Sequence, residues 1–560
     1  MVACGCFALV LGGLCGAQEP ADESSPAQNA PTASGDDAAR DPPADTLGRR
    51  AGEASDPPPS VVPPPPPRET LELSIEEAVR IALARNFQVR IADIDLRMRE
   101  RDLVIERAVF DPYLTLGTFY SKNRRPTASF LDLGGGAVTP EVQVNPFETT
   151  SYNGGIRGRT LIGTDYTLTV GSNGFDRPLA SALFGLNPQE SASARLDITQ
   201  PLLRGAWYPY NSAAIRIAHN NERLAREDLE TATSELIYQV ESAYWNHAFA
   251  TQNFAAKTNS LRVAELDLEK ARKEERAGTK ARIYVTTVRG QLALRQVNYN
   301  DARLLVENSR DALLELLNHG GDSLKERWQS GEDVGPFDDI VVVPTSAADL
   351  EPFSPDRDVS LAMAFRSRAD YRRFAIQLDS QQIAVDTARN DLWPRVDLTT
   401  SWEQLGLDDS VEGSFSSLGT GEFYSWSVGV QVEVPLSNRG PKNAFRRAED
   451  RLRQLTWERL QIENRIVLDV DQAIRQLDSL ARKVDYLGEV VRLKAEELDA
   501  ERKKLDAGTS IPFQVHTIEN DLIELEAQAL QSRTDYLTAR AAYYRATGVL
   551  LERHDVTLEK

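Results

Sequence analysis

Two periods of hydrophobic positions alternate along this chain. From Leu71 the stretch "LELSIEEAVRIALARNFQVRIADIDLRMRERDLVIERAVFDP" places Ala78, Ile81, Ala82, Val89, Ala92, Leu96, Leu103 and Ala108 at helical spacing. Ser74 followed by Glu77 reads as a capping box that starts this helix, and Pro112 ends it. The period then falls to two. In "YLTLGTFY" from Tyr113, Leu114 and Leu116 face one way and Thr115 and Gly117 the other. "SYNGGIRGRTL" from Ser151, "TDYTLTVGS" from Thr164 and "ARLDITQPLL" from Ala194 alternate likewise, with "GTD" at Gly163 as a hairpin turn. Strands are therefore expected within 113–203.

The helical period returns near Asn211 and persists to Arg276, with Ala225, Leu229, Ala232, Leu236, Val240 and Ala243 stepping by three and four. No Pro or Gly interrupts 211–276, a length of roughly 100 Å at ~1.5 Å per residue. "AGT" then turns the chain at 277–283 into a helix over 284–317, and a polar, Gly-containing connection fills 319–358. The second half repeats the order: a helix over 359–390, Pro394, strands within 395–436 around a Gly- and Ser-rich loop, a long helix over 443–506, a second "AGT" turn at 507–513 and a helix over 514–551.

The two halves align without a gap from Ala214 with Ala444, through Val240 with Val470, Gly278 with Gly508 and Thr279 with Thr509, to Ala312 with Ala542, a constant offset of 230. One supersecondary unit has thus been used twice. Pro112 and Pro394 differ by 282, so the first half carries 52 further residues between its proline and its long helix. The hairpin from Ser151 to Ser172 accounts for much of that surplus, either inside the sheet or outside it. In the second half Trp426, Val428, Val430, Val432 and Val434 alternate with Ser425, Ser427, Gly429, Gln431 and Glu433. One such face suits lipid and the other water; a half-buried soluble sheet shows the same alternation. Two strands per half, or four in the first, are too few to close a barrel with a lumen, and open edges are not tolerated in lipid. Other copies of the chain must then complete it.

Composition narrows the function. Against 64 Lys and Arg stand 84 Asp and Glu, a formal charge of -20 over 560 residues, with no dense basic run for nucleic acid. Cys4, Cys6 and Cys15 are the only cysteines, inside the apolar "MVACGCFALVLGGLCGAQ". This reads as a secretory signal over 1–17, although no Lys or Arg precedes Arg40; lipidation at Cys15 is the alternative, on a poor "GGL" box. Residues 18–70 are rich in Ala, Pro, Ser and Asp and read as a disordered tether, and 552–560 as a short tail. His219, His247, His319, His516 and His554 are scattered without metal-ligand spacing, and no Walker loop or dinucleotide fingerprint occurs. No enzyme chemistry, cofactor or metal is expected.

Several of these segments resemble the TolC-type outer-membrane efflux proteins: "LSIEEAVRIALARN", "FDPYLTL" and "LWPRVDL" before strands, "QPLLRG" and "VPLSNRG" before helices, and the duplicated "AGT" turns. The resemblance spans Leu71 to Leu551 and implies an α+β fold with an internally duplicated helix–strand–strand–helix unit. It implies a homotrimer in which a transmembrane antiparallel β-barrel, completed by trimerisation, continues into a long antiparallel coiled-coil helical barrel across the periplasm. Such a chain is a passive conduit, set in outer-membrane lipid and docked to a periplasmic adaptor and an inner-membrane transporter of RND or ABC type, for efflux or type I secretion. The tips around Gly278, Thr279 and Val285, and around Gly508, Thr509 and Val515, would dock the adaptor, six hairpins to a trimer. Where some family members place two aspartates three positions apart, this chain has Gln514 and Thr517, leaving Glu519 and Arg289 as other candidates for a pore constriction. Two rival readings stay open: a soluble exported coiled-coil scaffold without a pore, and an exported binding protein using its Tyr and Gly loops.

Overall fold

A computed structural model describes residues 69–127, 143–176, 186–318, 329, 340–348, 350 and 353–557. The signal and most of the tether, with all three cysteines, lie outside these residues, as do His319, most of the inter-repeat connection and the last three residues.

Among the described residues the order is β1 (Glu69–Leu73), α1 (Ile75–Arg85), α2 (Phe87–Ala108), β2 (Tyr113–Thr127), β3 (Gln143–Arg159), β4 (Asp165–Asp176), β5 (Gln189–Pro201), α3 (Tyr208–Asn211), α4 (Ala213–Arg276) and α5 (Arg282–Leu316). Then follow β6 (Ile340–Pro344), α6 (Arg357–Ser367), α7 (Ala369–Asn390), β7 (Arg395–Asp408), α8 (Val411–Gly419), β8 (Phe423–Glu433), α9 (Arg439–Asp506), α10 (Pro512–Thr547) and α11 (Leu550–Arg553). The two long helices, 64 and 68 residues, extend about 100 Å each. No described helix is long and apolar enough to cross a membrane.

Four expectations are corrected. The first helix of each half is broken in two, at Asn86 and at Arg368, whose backbones are extended. These breaks are equivalent, since 368 less 86 gives the same 282 that separates Pro112 from Pro394. Asn86 Nδ2 donates to the Leu316 carbonyl at 3.1 Å and Arg368 Nη1 to the Ala546 carbonyl at 3.3 Å, so different side chains tie equivalent breaks to equivalent helix ends, 316 and 546 being 230 apart. The final helix stops at Thr547 rather than near Leu551, because Gly548 takes the left-handed cap position at φ 76°. The loop between β7 and β8 contains α8, capped by the Ser410 hydroxyl accepting from Gly413 N–H. The inter-repeat connection contains β6, which pairs in parallel with β1, from Glu69 opposite Ile340 to Leu73 opposite Pro344.

This small sheet closes the main core at mid-length of α4. Leu73, Val79, Leu236, Ile237, Val240, Tyr244, Leu314, Val342 and Leu550 are buried together there. Full burial of each such side chain is worth about 1.5–3 kcal/mol before the entropy of ordering it. Tyr244 satisfies its hydroxyl within that core, donating to the Leu73 carbonyl and accepting from Ser346 N–H at 2.9 Å. Burial holds the His247 imidazole below its ordinary pKa while Nε2 donates to the Val342 carbonyl at 3.1 Å.

Above the core, α2 packs on α4, α4 on α7 and α7 on α9; below it, α5 pairs with α4 and α10 with α9. Four helices therefore lie side by side at either level. Each helix of the upper layer joins a strand of a six-stranded antiparallel sheet, ordered β2-β3-β4-β5-β7-β8. The surplus hairpin β3–β4 lies inside this sheet, between β2 and β5.

Candidate functional site: the twin tips and the two-faced sheet

At the first tip α4 ends at Arg276, and Gly278 sits at φ 77°, a conformation costly for any residue with a Cβ. Gly278 N–H donates to Glu275 O at 2.9 Å and Thr279 N–H to Glu274 O at 3.0 Å. The second tip repeats this: Gly508 at φ 76°, Gly508 N–H to Leu505 O at 3.0 Å and Thr509 N–H to Lys504 O at 2.9 Å. The threonines do not start the returning helices. Their hydroxyls donate backwards, to the Glu274 and Lys504 carbonyls at 2.8 and 3.1 Å, and so cap the outgoing helices. The return begins after Ala281 and Ile511, neither of which has a side chain able to cap.

Val285 and Val288 bury against Leu268 and Ala271, and Val515 and Ile518 against Leu498. Each tip thus closes on a small apolar cluster of its own. The outermost turn keeps large apolar groups in solvent: Ile283 at 71% exposure, its repeat equivalent Phe513 at 68%, and Ile511 at 59%. In sequence these three are indistinguishable from core, being apolar residues at or beside helical spacing. Their signal was the 230 offset, which aligns Ile283 with Phe513 beside glycines that leave both on the rim.

Gln514, Thr517 and Arg289 are exposed. Thr517 spends its hydroxyl on the Phe513 carbonyl at 2.9 Å. Glu519 differs, being half withdrawn and clasped by Arg502 of α9 and by His516 Nδ1 at 3.3 Å. The hydrogen bond to His516 above all, with the Arg502 guanidinium beside it, holds the Glu519 carboxyl below the usual carboxylate range. One residue on, Asn520 accepts from Arg295 of α5, linking the two hairpins. Burial lowers the pKa of that guanidinium. Among the described residues no cluster of three or more His, Cys, Asp or Glu is placed to hold a metal.

The sheet has two chemically distinct faces. One transverse row reads Leu114, Ile156, Leu168, Leu196, Trp402 and Trp426 across all six strands. The adjacent row, on the opposite face, reads Thr115, Gly155, Thr169, Arg195, Glu403 and Ser425. The apolar side is open to its surroundings: Leu116 is 80% exposed, Trp426 67% and Val430 62%. Towards the end of the strands far from the helices, α8 lies on this apolar face. It rests on a row of small residues, Ser172, Ala192 and Gly406, where a Cβ on Gly406 would come within 2.1 Å of the Ser414 carbonyl oxygen. Among the described residues the outer edges of β2 and β8 have no partner strand.

The sequence pattern of the outer membrane efflux protein family matches residues 162–319 and 361–549. The chain belongs to the outer membrane efflux protein family. No curated protein matches it. Solved structures with the same fold include the Campylobacter jejuni CmeC outer membrane channel, at 14% identity and TM-score 0.59, covering 85% of this chain and 86% of that one. The Vibrio cholerae outer membrane protein VceC aligns at 14% identity and TM-score 0.58, over 85% of this chain and 96% of that one. The open state of the Neisseria gonorrhoeae MtrE outer membrane channel aligns at 18% identity and TM-score 0.58, over 86% and 91%. As a member of this efflux family the chain has the helix-plus-antiparallel-sheet architecture of TolC-like channels, and its open sheet is the part a monomer leaves unclosed.

Proposed function

We propose that this chain is the outer-membrane subunit of a tripartite efflux or type I secretion system, acting as a passive homotrimeric conduit across periplasm and outer membrane. The observation that supports this best is the pair of unpaired sheet edges bounding an apolar face. β2 leaves the helical layer and β8 returns to it, so β8 of one copy meets β2 of the next in antiparallel sense, and repetition closes the wall without an edge. Apolar side chains then face lipid and the Thr, Ser and Gly row faces water. The soluble-scaffold reading leaves the Leu114-to-Trp426 row without a partner.

Gly278, Thr279 and Val285 with Gly508, Thr509 and Val515 build the tips, and Ile283, Ile511 and Phe513 supply the apolar knobs on which a periplasmic adaptor docks. The Arg502–Glu519–His516 clasp ties the two helices of the second hairpin together and the Arg295–Asn520 link joins that hairpin to the first, leaving Gln514, Thr517 and Arg289 on the rim of the entrance. An inner-membrane transporter of RND or ABC type supplies the energy. The test is reconstitution of purified full-length protein in planar bilayers. Discrete ion conductance supports the conduit; lipid-bound protein that never conducts, even with Glu519→Gln and Arg295→Ala combined to loosen the tips, refutes it.

A further inference from the structure

The duplication by itself supplies two strands per half, hence four per subunit and twelve per closed trimer. The described sheet has six. We infer that the hairpin β3–β4 is a wall-widening insertion, so that three subunits close an eighteen-stranded barrel; this rests on the trimeric conduit proposed above.

Three observations support it. β2 and β5 do not touch each other: β2 pairs with β3 from Tyr113 opposite Arg157 to Thr127 opposite Gln143, and β5 pairs with β4 from Thr199 opposite Asp165 to Gln189 opposite Phe175. Removing the hairpin from the wall would strip both ladders of their partners. The chemistry of the two faces also runs through the insertion unbroken, with Ile156 and Leu168 in the apolar row and Gly155 and Thr169 in the polar one. A plug in the lumen or a flap on the surface would not need this two-sided pattern. The hairpin's turn, finally, is seated on the chain that leads into α4: the Ile162 carbonyl accepts from Trp207 N–H at 3.2 Å, and Gly163, at φ 90°, lies so close that a Cβ there would meet Gly205 O at 2.6 Å.

The widths agree. Six strands at about 4.8 Å spacing and about 40° tilt span an arc of about 38 Å, against about 25 Å for four strands. Four side-by-side helices at 8–10 Å span about 32–40 Å. Eighteen strands make a wall about 36 Å across at the backbone, against about 24 Å for twelve, a size at which barrels hold an aqueous channel. The lumen side of the inserted strands is polar, with the small groups Asn153, Gly155, Thr167 and Thr169 followed towards the helices by Arg157 and by Arg159 opposite Asp165. The outer-membrane section is then as wide as the helical conduit below and admits bulky hydrated cargo without a second constriction.

Electron cryomicroscopy of the full-length protein in lipid nanodiscs should show eighteen strands around the axis. A particle with a tunnel but twelve wall strands, and β3–β4 folded elsewhere, overturns this inference and leaves the conduit standing; a particle without a tunnel overturns both. No cysteine follows Cys15, which permits clean single-cysteine variants. Thr167→Cys and Thr169→Cys should react with a water-soluble maleimide at least tenfold faster than Leu168→Cys and Ile156→Cys in lipid, and equal rates at all four would also overturn it.

Discussion

Three glycines with nearly the same backbone angle have different neighbours, and their alanine variants separate strain from crowding. Gly278, Gly508 and Gly548 sit at φ 77°, 76° and 76°. A Cβ on Gly278 or Gly508 would meet nothing within 4 Å, whereas on Gly548 it would lie 2.8 Å from Arg368 N and from Ser367 C. Gly278→Ala therefore costs only the left-handed conformation, about 1–2 kcal/mol. Hydrogen exchange of the Gly278 and Thr279 amides, which donate to Glu275 and Glu274, should quicken about 5- to 30-fold, with the thermal midpoint of the assembled protein unchanged. Gly508→Ala should behave alike. Gly548→Ala adds backbone overlap worth a further 1–3 kcal/mol or so and presses on the break at Arg368, so it should lower the midpoint and exchange broadly at mid-length. Equal effects of Gly278→Ala and Gly548→Ala, in either assay, would refute this reasoning.

On the sheet, Val430→Arg should cost about 2–4 kcal/mol of membrane stability while Ser427→Arg on the opposite face should be tolerated, measured by heat resistance of the assembly in lipid. Gly406→Val should unseat α8 from its row of small residues, seen as protease cleavage within Val411–Gly419 with the oligomer intact; an unaltered digest would contradict the packing. His247 is buried with its pKa lowered from 6.5, so the unfolded chain binds more protons as pH falls through and below that value, and stability is full above it and declines towards acid. His247→Gln, keeping a donor to the Val342 carbonyl, should flatten that part of the pH–stability curve, and an unchanged slope between pH 7.5 and 5 would sink the assignment.

Much of this fold was legible because repetition doubles every signal. The helix-to-tip-to-helix register shows in the 230 offset of Gly278 and Gly508, and the two faces of β8 show in the alternation of Trp426 to Val432 with Ser425 to Gln431. What escaped detection was set by tertiary contact. Asn86 and Arg368 interrupt otherwise continuous helical patterns because their side chains reach helix ends that are remote in sequence. "IVVVP" at Ile340 reads as strand only once β1 lies beside it. The α8 segment, "VEGSFSSLG", has the glycines and serines of a loop, and its helix is held by a surface of small residues on strands before it in the chain. For the tips, sequence identified the turning glycines and the buried valines. It did not separate exposed Ile283, Ile511 and Phe513 from core, nor show that Glu519 is already paired.

The open edges of β2 and β8 give the most direct test. Cysteine pairs, one on each strand, walked along Tyr113–Thr127 against Phe423–Glu433, would be oxidised in intact membranes. A sheet closed by sister subunits yields, at a run of matching registers, a covalent ladder that ends at three times the mass of one chain. A ladder continuing past three, or pairs that close only within a single chain, would contradict it.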